Sequence, residues 1–280
     1  MASVSSVRRK LGRAKRTVQG EIRRVSTAAV DATRRGDRTV IMTPRVGLRL
    51  GNFLYVWLRA HQRSASGRST RALAAPGMTP WLATIPELRT LTVDQAEVRY
   101  SDRREWDNSF LYQRFGVDFT ADQVDAFVLA TLRPHLTPDR SGTLVVNVRR
   151  GDYYTDFREK YAFDQVGYIR AALDIAGPAD RITVVSDDAP WCRSNLADVL
   201  GGVAPRVDFA DPDPWANFVA IAQSSRIIGT NSTFSYWGAH AATALQHAEV
   251  IMPRFHGRMG PDRTDAHQLD PRWTAIEGFH

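Results

Sequence analysis

The residues with the clearest chemical potential stand together at Arg149-Arg150-Gly151-Asp152. They follow a short apolar run, Leu144 to Val148, that only Asn147 interrupts. Such a run fits a strand buried inside a parallel sheet. Two arginines then emerge at its carboxyl end, Gly151 bends the chain, and Asp152 stands behind them. A guanidinium offers a planar fork of donors that matches phosphate oxygens, so an adjacent pair makes a receptor for a dense anion. In open α/β sheets ligands sit in the crevice beyond the carboxyl ends of the strands, where these side chains would stand. The same residues also suit a surface Arg–Asp cluster with no ligand. The rest of the chain has to decide between the two.

Three other stretches carry compatible chemistry. Asn231-Ser232-Thr233 precede a helical pattern, and a Ser or Thr cap, free amides and the positive helix end favour a phosphate. Alone this is an ordinary capped helix; facing an arginine pair it is an anion site. Asp187-Asp188 end a strand where carboxylates can accept from a ribose or a purine edge, although one of them can instead cap the helix starting at Ala189. Arg45 to Phe53, which follows a strand at Thr39–Thr43, reads as the turn and helix start of a strand–turn–helix corner containing Gly47, Gly51 and Asn52, with glycines in neither dinucleotide nor P-loop spacing. Asp211-Pro212-Asp213 looks like a metal-holding D-x-D but reads better as a rigid turn and helix cap. The histidines show no metal-ligand spacing, and no Ser-His-Asp set is evident.

The elements that would position these loops alternate regularly from residue 143 onward. The opening strand precedes a helix from about Phe163 to Ile175. Strands at Arg181–Ser186, Arg206–Phe209 and Ser225–Gly229 alternate with helices at Ala189–Leu200, Pro214–Gln223 and Thr233–Leu245, and Glu249–Met252 closes the pattern. Alternation of this kind predicts a parallel sheet covered on both faces, with right-handed crossovers placing every strand-to-helix loop on one edge. Before residue 143 the pattern is looser. Thr39–Thr43 reads as a strand leading into a helix that ends near Ser64. Arg71–Ala75 and Ala96–Tyr100 read as strands and Pro80–Leu88 as a short helix. Thr120 and Gln123 form a capping box for a helix to about Leu132, stopped before Pro134. The polar stretch Thr137–Gly142 marks a boundary. Three units are expected: a tail at 1–38, an N-terminal domain at 39–140 and a C-terminal domain at 141–280.

The chain of 280 residues is 43% hydrophobic and 24% charged, as expected of a globular protein. No apolar run approaches the ~20 residues that span a bilayer, and the N-terminus has no apolar signal region. A single cysteine, Cys192, allows no internal disulfide and no cysteine zinc cluster. The net charge is +7, but residues 1–38 hold eleven Lys/Arg against three Asp/Glu, which leaves the rest close to neutral. A nearly neutral body argues against nucleic acid as a partner. In the tail, Val7, Leu11, Ala14, Val18, Ile22, Val25 and Ala29 share one helical face with Lys and Arg around them. Such a helix can lie on an anionic membrane, pack on its own domain or pair with a copy of itself. The expected location is the cytoplasm, peripheral to the inner face of the plasma membrane where the tail engages lipid.

Together these residues resemble a known family. Val146 to Tyr153 is similar to the H-x-R-R-x-D motif of α1,2- and α1,6-fucosyltransferases and protein O-fucosyltransferases. Val184 to Cys192 resembles the F-S-D-D-x-x-W-C segment of the α1,2 branch, glycosyltransferase family 11. Thr230 to Ala239 resembles its S-N-S-T-F-S-W-W-G-A segment, and Arg49-Leu50-Gly51-Asn52 its G-x-L-G-N-Q. Order and spacing agree over about residues 40–255. The resemblance implies an α/β, GT-B-like fold of two Rossmann-like parallel-sheet domains. It implies a metal-independent, inverting transfer of fucose from GDP-fucose to the 2-hydroxyl of a galactoside in a glycan or lipid-linked glycan. No cofactor is implied beyond the GDP-sugar donor itself. Arg149, Arg150 and Asp152 would hold the donor diphosphate, and Gly51, Asn52, Asp187, Asn231, Ser232, Thr233 and Phe234 would line the donor site. Asp156 and Glu159 are the candidate bases.

The sequence also departs from the pattern. The motif histidine is Asn147, the Gln after Gly-Asn is Phe53, one Trp of the third segment is Tyr236, and His240 stands where a further Trp is expected. Phe110-Leu111-Tyr112-Gln113 is a faint echo of the family's aromatic-rich acceptor segment. The donor side is intact and the acceptor side has drifted. Transfer from another GDP-sugar, and a non-catalytic homologue that binds sugar nucleotide or glycan, are the alternative readings.

Overall fold

A computed structural model describes residues 39–45, 47–106, 112–139, 141–258 and 266–279. The amphipathic stretch at 1–38 and the pair Phe110-Leu111 lie outside the described residues. The first strand, β1 (Val40–Thr43), is followed by α1 (Leu50–Ala65). Next come β2 (Thr70–Leu73), α2 (Thr79–Thr84), β3 (Thr92–Val93), β4 (Arg103–Trp106) and α3 (Ala121–Thr131). The strands pair in the order β3-β2-β1-β4, all parallel.

Two expectations fail in this half. Ala96–Tyr100 is not a strand: Asp94 and Glu97 close a capping box on a 3-10 turn at Gln95–Glu97, and the sheet uses β3 and β4 on either side. The helix expected over Pro80–Leu88 breaks in two. Ile85 precedes a proline and is held out of the helical region (φ −123°, ψ 79°), so α2 ends at Thr84 and a 3-10 segment starts at Pro86. The Thr120–Gln123 capping box forms as read.

The second half runs β5 (Leu144–Val148), α4 (Gly151–Tyr154), α5 (Arg158–Tyr161), α6 (Gln165–Ala176), β6 (Arg181–Ser186), α7 (Ala189–Gly201), β7 (Arg206–Phe209), α8 (Pro214–Gln223), β8 (Arg226–Ile228), α9 (Thr233–Gln246), β9 (Glu249–Pro253) and β10 (Thr274–Ile276). Glu249 to Met252 therefore does not close the sheet, because β10 adds an edge strand beyond β9. The order is β10-β9-β8-β5-β6-β7, all parallel. This is the doubly wound order of dinucleotide-binding folds, with the crossover direction reversing between β5 and β8. The first sheet repeats the opening of the same order. The protein is thus an α/β, GT-B-like assembly of two Rossmann-like parallel sheets.

One helix joins the halves. α9 packs Tyr236, Ala239 and Ala242 into the core of the second sheet with Val145, Ile227 and Val250. Its other face sends Trp237 and Ala241 into the core of the first half with Phe53, Trp57 and Phe127. Trp237 meets Tyr55 at 5.1 Å and Phe127 at 5.5 Å between ring centroids. α1 is consequently buried almost all round from Leu50 to Ala60, the pattern of a helix packed on every side. The junction fixes the N-terminal ends of α1 and α9 against each other, beside the carboxyl end of β5.

Candidate active site

β5 is buried along its whole length and delivers two arginines into the reversal point of the second sheet. Arg149 donates to Asp187 Oδ2 (2.5 Å) and to Asp152, and its guanidinium lies 5.1 Å from the Tyr153 ring centroid. Asp152 in turn stands 3.7 Å from the guanidinium of Arg49, which belongs to the first half and is 70% exposed. An ionic chain therefore crosses from one half to the other. Arg150 has a different setting. Its guanidinium is sandwiched between the rings of Tyr154 (3.9 Å) and Trp191 (3.7 Å), and it reaches Asp188 and Gln165, both at 3.4 Å. Stacking of this kind suits the weakly hydrated guanidinium and holds it still. Arg149 and Arg49 are the cations turned to the junction, and Arg150 braces the loop.

The two aspartates of the Asp187-Asp188 pair divide the same way. Asp187 accepts from Arg149 and from the backbone N–H of Arg150 (2.8 Å), tying the β5 loop to the end of β6. Asp188 caps α7, accepting from Trp191 N–H. Asp213 likewise caps α8 at the edge of the sheet, so the Asp211–Asp213 turn lies away from the reversal point.

Opposite the arginines stand two helix ends. Ser232 caps α9 through its Oγ, which accepts from Phe234 N–H (3.3 Å). Asn231 is fully buried and turned inward, donating to the carbonyls of Tyr161 (2.9 Å) and His256 (3.1 Å). Thr233 and Phe234 remain partly exposed. Against them lies Gly51, where a Cβ would stand 2.5 Å from Thr233 C and 2.6 Å from Phe234 N. Neither α1 nor α9 carries an acidic residue in its first turn, and α1 has no side-chain cap. Two positive helix ends side by side, facing arginine, favour a polyanion. Asn52 sits at this junction with its Oδ1 accepting from Gln113.

The structure thus gathers Arg149, Asp152, Asp187, Gly51, Asn52, Ser232, Thr233 and Phe234 around one junction, with Arg150 behind them. Asn231 is withdrawn into the fold. Asp156 and Glu159 are exposed on the neighbouring loop and α5, and among the described residues no hydrogen bond or ion pair joins their carboxylates to the arginine cluster. Arg49 also belongs to the site, a role the sequence reading did not give it although it stands in the Arg49-Leu50-Gly51-Asn52 segment. Asn147, where the motif has His, donates to Val185 O (2.9 Å), and its Oδ1 is buried without a partner among the described residues.

Two buried histidines lie behind this junction, His240 within α9 itself and His256 packed against it. His256 hydrogen-bonds with the Tyr236 hydroxyl at 3.1 Å, and His240 lies 3.8 Å from Asp270, whose carboxylate is already bonded by Arg272. Burial holds His256 down to about 3 and His240 down to about 4. The unfolded chain titrates these groups near ~6.5, so below that pH it takes up protons that the folded protein does not. Their contribution to stability is complete above pH ~6.5 and is lost as pH falls, at about 1.4 kcal/mol per pH unit for each group until His240 itself protonates. Urea unfolding at pH 7 and pH 5 tests this. The wild type should lose stability across that interval, and His256→Gln should lose about half as much; a wild-type stability that stays flat contradicts it.

The chain is similar to known proteins. The family model described as Glycosyl transferase family 11 matches residues 112–254, half of the chain, and takes in β5 to β9 with the arginine loop, Asp187 and the α9 end. The chain belongs to glycosyl transferase family 11. Galactoside alpha-(1,2)-fucosyltransferase 2 of Mus musculus is 32% identical over 104 residues, which are 35% of this chain and 29% of that protein. The chain thus matches less than a third of that relative's length. Among solved structures, E. coli heptosyltransferase WaaC with ADP aligns over 85% of this chain and 93% of its own, at 11% identity and a TM-score of 0.45. The family 11 match begins after Gly51 and Asn52, so their place at the site rests on the packing of α1 against α9.

Proposed function

We propose that this glycosyltransferase moves fucose from GDP-fucose, with inversion at the anomeric carbon and without a metal, to the 2-hydroxyl of a galactoside in a surface glycan or glycolipid. The observation that carries the reading is the ionic chain Arg49–Asp152–Arg149, which joins the β5 loop to the start of α1, where the N-termini of α1 and α9 abut at the sheet's reversal point. As the glycosidic bond breaks, the departing diphosphate gains negative charge. Preorganised guanidinium and amide donors stabilise that charge as it develops. Arginine here supplies what a metal would otherwise contribute. The sequence similarity to an α1,2-fucosyltransferase supports fucose as the sugar. Asp156 or Glu159 would take the acceptor proton, and a path in which GDP departs early would ask little of either. The tail at 1–38 would bring the enzyme to the cytoplasmic membrane face where lipid-linked acceptors lie.

Isothermal titration with GDP, GDP-fucose and GDP-mannose, without added metal, tests the donor. GDP-fucose should bind, and incubation with a terminal β-galactoside should yield a fucosylated product. Absence of guanine-nucleotide binding would overturn the reading. One observation favours a second reading, donor binding without transfer: an amide, Asn147, replaces the imidazole of the motif. Binding of GDP-fucose without any turnover, on galactosides or water, would establish it.

A further inference from the structure

The Asn52 carboxamide is the front member of a row of three. Gln268 Nε2 donates to Gln113 Oε1 (3.2 Å), and Gln113 Nε2 donates to Asn52 Oδ1 (3.1 Å). The rear two are buried, Gln113 at 3% and Gln268 at 1% exposure. The three come from separate parts of the chain: the first turn of α1, the segment between β4 and α3, and the segment between β9 and β10. The backbone fastens the last two segments together, since Phe115 N–H donates to His267 O (2.8 Å). Burying two amides is costly, the more so because Gln268 Oε1 has no partner among the described residues, and an apolar pair would fill the same space without that demand. The row therefore calls for a reason beyond packing.

Its polarity supplies one. A carboxamide has an acceptor end and a donor end. With Oδ1 of Asn52 occupied by Gln113, the end left to present is Nδ2, which has no partner among the described residues. Gly51, the preceding residue, touches Thr233 and Phe234. Asn52 therefore shares the first turn of α1 with the residue that meets the α9 end, within the junction proposed to take the donor diphosphate.

We infer that Gln113, braced by Gln268, is a positioning residue that fixes the Asn52 carboxamide with its N–H groups toward the donor diphosphate. The inference rests on the GDP-sugar reading above and adds to it a neutral donor whose direction is set from the first half and the C-terminal segment together. Glutamate at 113 could still accept from Gln268 but could not donate to Asn52. Asn52 would then turn its N–H groups inward to Glu and set Oδ1 against the phosphate oxygens.

The test is a double-mutant cycle on the full chain, read as the Kd for GDP. Gln113→Glu and Asn52→Ala should each weaken binding by about ten- to hundredfold, and the double variant should bind no more weakly than the worse single one, because both remove the same hydrogen bond. Gln113→Met, which adds no charge, should give a smaller loss that also disappears in the Asn52→Ala background. A merely structural defect would instead add to the loss from Asn52→Ala. Additive losses, or wild-type affinity in Gln113→Glu, would overturn the positioning role while leaving the donor reading intact. A wild type that does not bind GDP overturns both.

Discussion

Arg149→Ala is expected to abolish measurable GDP binding and transfer in a protein that still folds. The side chain is only 18% exposed and satisfies two carboxylates, Asp187 and Asp152; among the described residues the only other cation paired with either is the exposed Arg49, on Asp152. Its removal takes away a charge-assisted donor pair, which alone is worth about 1.5–3 kcal/mol. It also leaves two carboxylates facing the position of an incoming diphosphate, and like charges there raise the cost further. A loss of at least two orders of magnitude in affinity follows, on the order of 3 kcal/mol or more. The aspartates are a quarter exposed, so the unpaired charges are partly hydrated and the stability loss should stay near 1–3 kcal/mol. Arg149→Lys keeps a charge but cannot fork to both acids, and should fall between. Arg150→Ala is the contrast: with its guanidinium held between Tyr154 and Trp191, it should cost more in stability than in binding. Titration calorimetry and urea unfolding on the same samples separate the two quantities. Arg149→Ala binding GDP within threefold of wild type would remove this residue from the donor site.

The second sheet was largely legible because its signals are local. Each buried strand is a short apolar run, and Asp164, Asp188, Asp213 and Ser232 each cap the helix that follows them. The first sheet was less legible because its strands are only two to four residues long and Pro86 breaks a helical pattern in mid-course. β10 and the four-residue helices α4 and α5 are too short for any periodicity. At the site, residue type pointed to Arg149 but could not assign partners. Asn231, Ser232 and Thr233 look alike in sequence as polar residues before a helix. Only the fold turns the first inward to Tyr161 and His256, makes the second the cap and sets the third against Gly51. Asp187, read as a possible ribose acceptor, is engaged by Arg149 and the Arg150 amide. The role of Arg49 depends on α1 reaching α9 across some 180 residues, which no local pattern encodes.

That contact between helices makes Gly51→Ala the other large effect, and the direction of the expected result is opposite to the local preference. Gly51 lies inside α1 with an ordinary helical backbone, where alanine would be favoured by about 1 kcal/mol on propensity alone. The new methyl, however, would meet Thr233 C at 2.5 Å and Phe234 N at 2.6 Å. Carbon atoms pack at about 3.5–4 Å, so the two helices would have to part by roughly 1 Å. The obstructing atoms are backbone and cannot swing aside as a side-chain tip can. α9 is also held by Trp237 and Tyr236 in two cores, so a shift strains both halves. Overpacking of this kind costs about 1–3 kcal/mol, which outweighs the propensity gain. Separation also widens the cradle that the two helix ends form, and a misplacement of that size reduces catalysis by about a hundredfold. Gly51→Ala should therefore unfold at lower urea, bind GDP at least tenfold more weakly and lose most transfer activity. A variant at least as stable as wild type with unchanged GDP affinity would mean that α1 and α9 do not meet this closely in solution, and the donor site would then have to be built from the second half alone.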